Sequence, residues 1–235
     1  MAPSSEKEDR GGIFLSKKDG SLVVAAVMQT GWRLAIQPKM LTSADEAYEK
    51  LNGIIPVYRE KFYASAAKTA DPYEEVAFRL TDELAVKIRE LKITGVILVQ
   101  DRWRLYPGGS LSSQTLGFVG YQGDKKVGVY GLERYWNDTL SKSSSALYVN
   151  PFAEIFTNLE SLLASNPRTE EGDVITSIEP FVEQRLEETL ENVMKTYEPK
   201  IAGGIVMEPG TGEILAIAAR PDFDPNTYST GSNPA

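Results

Sequence analysis

The chain has 235 residues, 42% hydrophobic and 25% charged, long enough for one or two domains with a buried core. It contains no cysteine and no histidine, which excludes disulfides, thiolate or imidazole metal sites and Ser-His-Asp chemistry; Ser/Lys, paired carboxylates or Tyr remain as catalytic options. The net charge of −8 is concentrated in residues 151–200, where 11 acidic and 4 basic side chains leave −7; this reads as solvated surface, and without a basic face neither nucleic acid nor anionic lipid is an expected partner.

Residues 1–9 read as a polar leader without the apolar core of a signal peptide, and no run approaches 18 consecutive apolar residues. Either the protein is cytosolic or a membrane anchor lies upstream. Ile13–Leu15, a turn at 17–20 and Leu22–Met28 predict a hairpin, and Trp32–Gln37 a further short strand closed by Pro38. Ser43 with Glu46 has capping-box spacing, so a helix is expected to about Leu51. Asn52-Gly53 breaks it, and Pro56 suits the first turn of a second helix running to about Lys68. Val76, Phe78 and Leu80 alternate as a strand, and Thr81 caps a helix with Leu84, Ile88 and Leu91 on one face. One long helix over 72–91 is the competing reading. Gly95 ends that helix, and Val96–Gln100 reads as a short strand.

Residues 107–114 read as a loop, followed by extended pieces at Leu116–Tyr121 and Val127–Leu132 around Gly123-Asp124. The Ser-rich stretch at 141–150 marks a boundary, with a short helix at about 151–164 and a polar segment to Gly172. Then come strand Val174–Ile178, helix Pro180–Tyr197 and strands at 201–207 and 214–219 about the turn Pro209-Gly210-Thr211-Gly212. On that helix Phe181, Val182, Leu186, Leu190, Val193 and Tyr197 form one apolar stripe, with Glu183, Glu187, Glu188 and Glu191 away from it.

Several ordered strings resemble the class B penicillin-binding proteins, the peptidoglycan transpeptidases of cell elongation and division. Arg10-Gly11-Gly12-Ile13 with Lys18-Asp19-Gly20 is similar to the opening of that family's non-catalytic pedestal, although Lys17-Lys18-Asp19-Gly20 stands where Asp-Arg-Asn-Gly is usual. Arg104-Leu105-Tyr106-Pro107 resembles its Arg-x-Tyr-Pro. Leu116-Gly117-Phe118-Val119-Gly120 and Gly131-Leu132-Glu133 resemble its Leu-Gly-Phe-Val-Gly and Gly-Leu-Glu. Thr211-Gly212-Glu213-Ile214-Leu215-Ala216 and Pro221-Asp222-Phe223-Asp224-Pro225-Asn226 resemble the start of its catalytic domain. The segment 141–172 is longer and more apolar than in the family's pattern.

The residues themselves read as structural. Arg10, Arg104 and Glu133 are candidates for a charged network joining distant segments, since an arginine and a carboxylate bond directionally; three unrelated surface charges are the alternative. Tyr106-Pro107 fixes a bend, and Gly117 and Gly131 mark bulges or close backbone contacts. Asp222 and Asp224 beside prolines and Asn226 read as a capped turn rather than a metal or acid–base pair. The family's nucleophile is a Ser activated by a Lys three residues on. Two such strings occur, Ser4–Lys7 and Ser65–Lys68, but no Ser-x-Asn or Lys-Thr/Ser-Gly follows either. No catalytic, cofactor or metal residue is therefore assigned, and the chain alone is expected to be inactive.

The resulting expectation is an α+β protein. Residues 10–149 form an elongated pedestal, or dimerisation domain, 150–172 a linker, and 173–235 a truncated start of a transpeptidase domain: a partial antiparallel sheet with a packed helix. Such a partial sheet leaves an unpaired edge and an uncovered apolar surface. The structural motif residues are Arg10, Gly11, Arg104, Tyr106, Pro107, Gly117, Gly131, Glu133, Gly212, Pro221 and Asn226. The resemblance implies a parent that cross-links peptidoglycan stem peptides, is β-lactam sensitive and needs no cofactor. It further implies an extracytoplasmic location with an upstream anchor, a cell-wall synthesis protein as partner, and a homodimer. The alternative is a stand-alone interaction module that docks cell-wall synthesis partners.

Overall fold

The computed structural model describes residues 10–123, 125–141, 169 and 172–228. Helices and strands are mixed along the chain, as an α+β protein requires. In order they are β1 (Ile13–Ser16), β2 (Leu22–Ile36), α1 (Ala44–Asn52), α2 (Arg59–Ala66), β3 (Glu74–Leu80), α3 (Asp82–Glu90) and β4 (Val96–Leu105). There follow α4 (Ser113–Leu116), β5 (Val119–Gln122), β6 (Lys125–Gly128), α5 (Gly131–Tyr135) and α6 (Asn137–Leu140). The last elements are β7 (Val174–Ile175), α7 (Pro180–Tyr197), β8 (Ala202–Met207), β9 (Ile214–Arg220) and α8 (Pro225–Tyr228). The helix expected at 151–164 and the leader lie outside the described residues. The chain divides into two compact units, Met1–Met28 with Arg104–Ala235, and Gln29–Trp103.

In the first unit, β1 and the start of β2 form the antiparallel hairpin that their apolar runs predict, with Ser16 opposite Leu22. Asp19 Oδ1 accepts from the Ser21 amide at 2.9 Å and closes the turn. The other edge of β1 takes β7 in parallel, Ile13 opposite Val174. Ile13, Phe14, Val23, Ala26 and Leu140 are completely enclosed in this core. Further along, β8 and β9 pair antiparallel from Ala202–Arg220 to Met207–Ile214. Helix α7 lies against them; a Cβ on Gly204 would stand 2.8 Å from Leu186 Cδ1. Its N-cap is Glu179, whose carboxylate accepts from the Val182 amide at 2.8 Å, and Pro180 occupies the first turn.

Helix α7 runs where the periodicity puts it, but its inward face is not the expected stripe. Glu183 and Glu187 are buried with Leu190, whereas Phe181 and Tyr197 are 55% and 76% exposed. The reason is local: backbone amides of β9 and of the segment before α4 face this helix and need acceptors, which leucine or phenylalanine cannot provide. The 174–178 strand is also shorter than expected, ending at Ile175.

In the second unit the rest of β2 pairs with β3, Trp32 opposite Leu80, and helices α1 to α3 bury Leu34, Ile36, Leu51, Phe62 and Ile88. Ser43 caps α1 by accepting from the Glu46 amide, and Thr81 caps α3 by accepting from the Leu84 amide, both at 3.2 Å. The expected break before Trp32 is absent, since β2 continues through Gly31. A Cβ there would lie 2.5 Å from the Leu80 carbonyl oxygen and 2.7 Å from the Trp103 ring, so this glycine admits close packing instead of ending the strand. Strand β4 likewise extends past Gln100, because Asp101 is fixed by Arg33 at 2.9 Å. Helix α2 starts at Arg59 rather than at Pro56; Asn52 Oδ1 accepts from the Val57 amide at 3.1 Å and holds the intervening residues in a turn.

Two further expectations need correction in the first unit. Residues 107–114 are not all loop, since α4 begins at Ser113; and Leu116 and Leu132 belong to short helices that flank the narrower β5–β6 hairpin. Phe62 touches rings on both sides, Tyr48 at 5.6 Å and Tyr63 at 5.8 Å. Phe62→Ala is expected to destabilise the chain by about 3–5 kcal/mol, and Thr81→Ala by about 1 kcal/mol. Urea unfolding followed by circular dichroism measures both, and a Phe62→Ala loss no larger than that of Thr81→Ala would contradict this account of the core.

Candidate functional site

The residues with the most polar bonds meet in the first unit around Glu133, at the centre of α5. Its side chain is fully buried. Oε2 accepts from Arg10 Nε at 2.6 Å, and Oε1 accepts from Arg104 Nε at 2.7 Å and from the Tyr106 hydroxyl at 3.2 Å. Arg10 Nη2 also donates to the Glu133 carbonyl at 2.7 Å, and Arg104 Nη1 to the Gly11 carbonyl at 2.8 Å. Arg10 Nη1 reaches Asn137 Oδ1 at 3.0 Å. Arg10 and Arg104 are each 7% exposed, so these are charge-assisted bonds in a low-dielectric setting. Burial, and then the Glu133 charge, push the Tyr106 phenol above its ordinary pKa and keep it a donor.

The remaining motif residues hold backbones close together. Gly11 passes Gly172 so closely that a Cβ would lie 2.1 Å from the Gly172 carbonyl oxygen. Gly117 (φ +74°) and Gly131 (φ +58°) bring α4 and the start of α5 into contact. A Cβ would fall 1.9 Å from the Tyr130 carbonyl oxygen in the first case and 2.5 Å from that of Thr115 in the second. Pro107 opens a turn in which the Gly109 amide donates to the Tyr106 carbonyl at 3.0 Å. Asn226, 120 residues further on, brackets Tyr106: Oδ1 accepts from its amide at 3.0 Å, and Nδ2 donates to its carbonyl at 2.9 Å. The Pro221 carbonyl accepts from Gln114 Nε2 at 3.0 Å. Gly212 stands apart in the β8–β9 turn, its amide donating to the Glu208 carbonyl at 2.8 Å.

Sequence reasoning passed over Glu183, Glu187, Arg220 and Asp173. Glu187 Oε1 accepts from the Ser112 amide at 2.8 Å, and Oε2 pairs with Arg220 at 3.3 Å. Asp173 Oδ1 accepts from the Gly12 amide at 2.5 Å. Among four glutamates on one acidic helix, no local signal separates the buried two from the exposed two. The apolar periodicity points the other way.

The chemistry-bearing strings resolve into structural ties. Ser65 is buried and donates to Glu74 Oε2 at 2.9 Å, while Lys68 pairs with Glu74 Oε1 at 2.7 Å. The bond to Glu74 raises the Lys68 pKa, the opposite of what a lysine base needs. Ser4–Lys7 lies outside the described residues. Asp224 Oδ1 accepts from both nitrogens of Asn226 at 2.9 Å, a capped turn, and Asp222 pairs with Arg220 at 3.4 Å. Among the described residues no group of three or more acidic side chains is placed to hold a metal ion.

The Penicillin-binding Protein dimerisation domain family matches residues 9–150, and the chain belongs to that family. Stage V sporulation protein D of Bacillus subtilis is 26% identical over 224 residues, covering 94% of this chain and 33% of the relative. Peptidoglycan D,D-transpeptidase MrdA of Acinetobacter baumannii is 29% identical over 246 residues, 96% of this chain and 34% of the relative. Peptidoglycan D,D-transpeptidase FtsI of Buchnera aphidicola subsp. Schizaphis graminum is 25% identical over 227 residues, 93% and 38%. The chain therefore spans about a third of the length of these curated relatives.

The Glu133 cluster makes a strong claim about stability. Glu133→Ala leaves two buried guanidiniums facing each other and is expected to cost about 3–5 kcal/mol. Glu188→Ala, at an exposed ion pair, should leave the unfolding midpoint almost unchanged. Denaturant titrations of the two variants compare them directly, and equal effects would mean that the cluster does not hold the unit together.

Proposed function

We propose that this chain is the pedestal and domain junction of a peptidoglycan D,D-transpeptidase, in which residues 10–149 position a catalytic domain that starts at about 173 and carries its reactive serine on further sequence. The observation that carries this reading is the family match over residues 9–150, together with alignments to named peptidoglycan D,D-transpeptidases that run over nearly the whole chain but little more than a third of theirs. On this reading the substrates are peptidoglycan stem peptides and the inhibitors β-lactams. The protein acts on the extracytoplasmic side of the membrane, held by an anchor upstream. No described helix is long and apolar enough to cross a membrane.

The structure supports a positioning role. The segment 172–228 is bonded to the Glu133 cluster's neighbourhood through Asp173–Gly12, Glu187–Ser112, Thr115–Ile217 and Asn226–Tyr106. At the same time Ile205 and Met207 on β8 are 64% and 56% exposed, as expected of a sheet whose further strands come from sequence beyond this hairpin. The family's description also supports self-association through the pedestal, and a cell-wall synthesis protein as partner suits the same surface role.

Labelling with a fluorescent penicillin tests the reading. The 235-residue chain should take up no label, whereas the protein expressed from the extended reading frame should be acylated at one downstream serine, and Ser→Ala there should abolish it. A covalent adduct on Ser65 would overturn the assignment. So would an extended frame with no Ser-x-x-Lys.

A further inference from the structure

Helix α7 turns two carboxylates inward, Glu183 and Glu187, one turn apart. Their surroundings differ. Glu187 has a cation, Arg220 at 3.3 Å, and the Ser112 amide at 2.8 Å. Arg220 is itself shared with Asp222 at 3.4 Å. Glu183 is fully enclosed and Oε2 accepts from the Ile217 amide at 2.8 Å, but Oε1 makes no hydrogen bond among the described residues. The hydroxyls of Ser112 and Ser113 are buried and make no other hydrogen bond among the described residues, and the Ser112 hydroxyl lies beside the Glu183 carboxyl. Among the described residues, the charged groups that face Glu183 are Glu187 on its own helix and Arg220 on β9, the latter already engaged by two other carboxylates.

An ionised carboxylate in this position has one amide and at most the Ser112 hydroxyl to replace its hydration, and no cation of its own among the described residues, which is an unfavourable place for a charge. The neutral acid fits better. Its carbonyl oxygen accepts the Ile217 amide, and its O–H supplies a donor on the side where serine oxygens stand unused. We infer that Glu183 is a proton-holding joint: the acid, not the carboxylate, docks α7 onto β9 and the segment before α4, so that this docking weakens as the medium goes from acid to neutral.

The energetics run the same way. Burial raises the Glu183 pKa to about 7 from 4.5; the Ile217 amide and then the Ser112 hydroxyl oppose the shift, Glu187 adds to it, and Arg220 opposes it. Burial raises Glu187 too, with the Ser112 amide and Arg220 opposing. A folded-state pKa above the unfolded value means that the Glu183 contribution is complete below pH 4.5 and is lost as the pH rises through about 7. Between these limits the folding equilibrium should fall roughly three hundredfold.

The test is a carbon-detected NMR titration of the glutamate carboxyls in the 235-residue chain, with unfolding midpoints at about pH 5 and 8 measured beside it. A Glu183 midpoint above about 6 supports the inference; one below about 6 overturns it. Glu183→Gln, which keeps an acceptor and a donor without a proton to lose, should match the wild type at pH 5 and exceed it at pH 8. Equal loss of stability at both pH values would overturn the joint. Should that variant not fold, the wild-type titration decides alone. Glu187→Gln, which strips Arg220 of a partner, should weaken the fold at both pH values.

Discussion

One carboxylate shared by two arginines is the constraint on which the first unit is built. Glu133 lies 123 residues from Arg10 and 29 from Arg104, and both guanidiniums are buried against it. A charge removed from water must be bonded on nearly every side. The segment at Arg10, the end of β4 and helix α5 must therefore converge with little latitude, and the carbonyls of Gly11 and Glu133 take two more of the guanidinium donors, leaving Arg104 Nη2 unbonded among the described residues. An apolar cluster of equal volume could be as stable. What the ionic version adds is direction, because a guanidinium fixes angles as well as distance.

Tyr106 extends that direction to the later segment. Its hydroxyl belongs to the Glu133 cluster, and its backbone amide and carbonyl are both held by Asn226. A few residues on, Ser112 and Thr115 bond α7 and β9. These are mainly side-chain bonds to backbone groups, which tolerate little rotation or sliding. The segment is thus attached by geometry as well as by apolar contact, even though β8 exposes Ile205 and Met207.

Elements set by local chemistry were legible in the sequence. The β1–β2 and β8–β9 hairpins, the capped helices α1 and α3, and the span of α7 follow from turn residues, N-caps and periodicity. Features that depend on a distant neighbour were not. The continuity of β2 rests on Gly31 meeting Leu80 and Trp103, and the length of β4 on Arg33 holding Asp101. The short helices α4 to α6 carry too few residues for a period to be seen. Within the site, Arg10, Arg104 and Glu133 came from ordered motifs and the bonding habits of arginine. The Tyr106–Asn226 bracket, spanning 120 positions, has no local trace.

Helix α7 shows how a sound rule reaches the wrong face. Apolar periodicity assumes that the surface opposite a helix is apolar, and here that surface offers the Ile217 and Ser112 amides. Unbonded amides cost more than a buried acid that bonds them, so glutamate is the side chain that fits, and the exposed rings of Phe181 and Tyr197 are the consequence. The same choice makes the joint conditional. Leucine at position 183 would pack equally at any pH and leave the Ile217 amide unpaired. Glutamate satisfies that amide, and the strength of the contact then depends on the proton that keeps the carboxyl neutral.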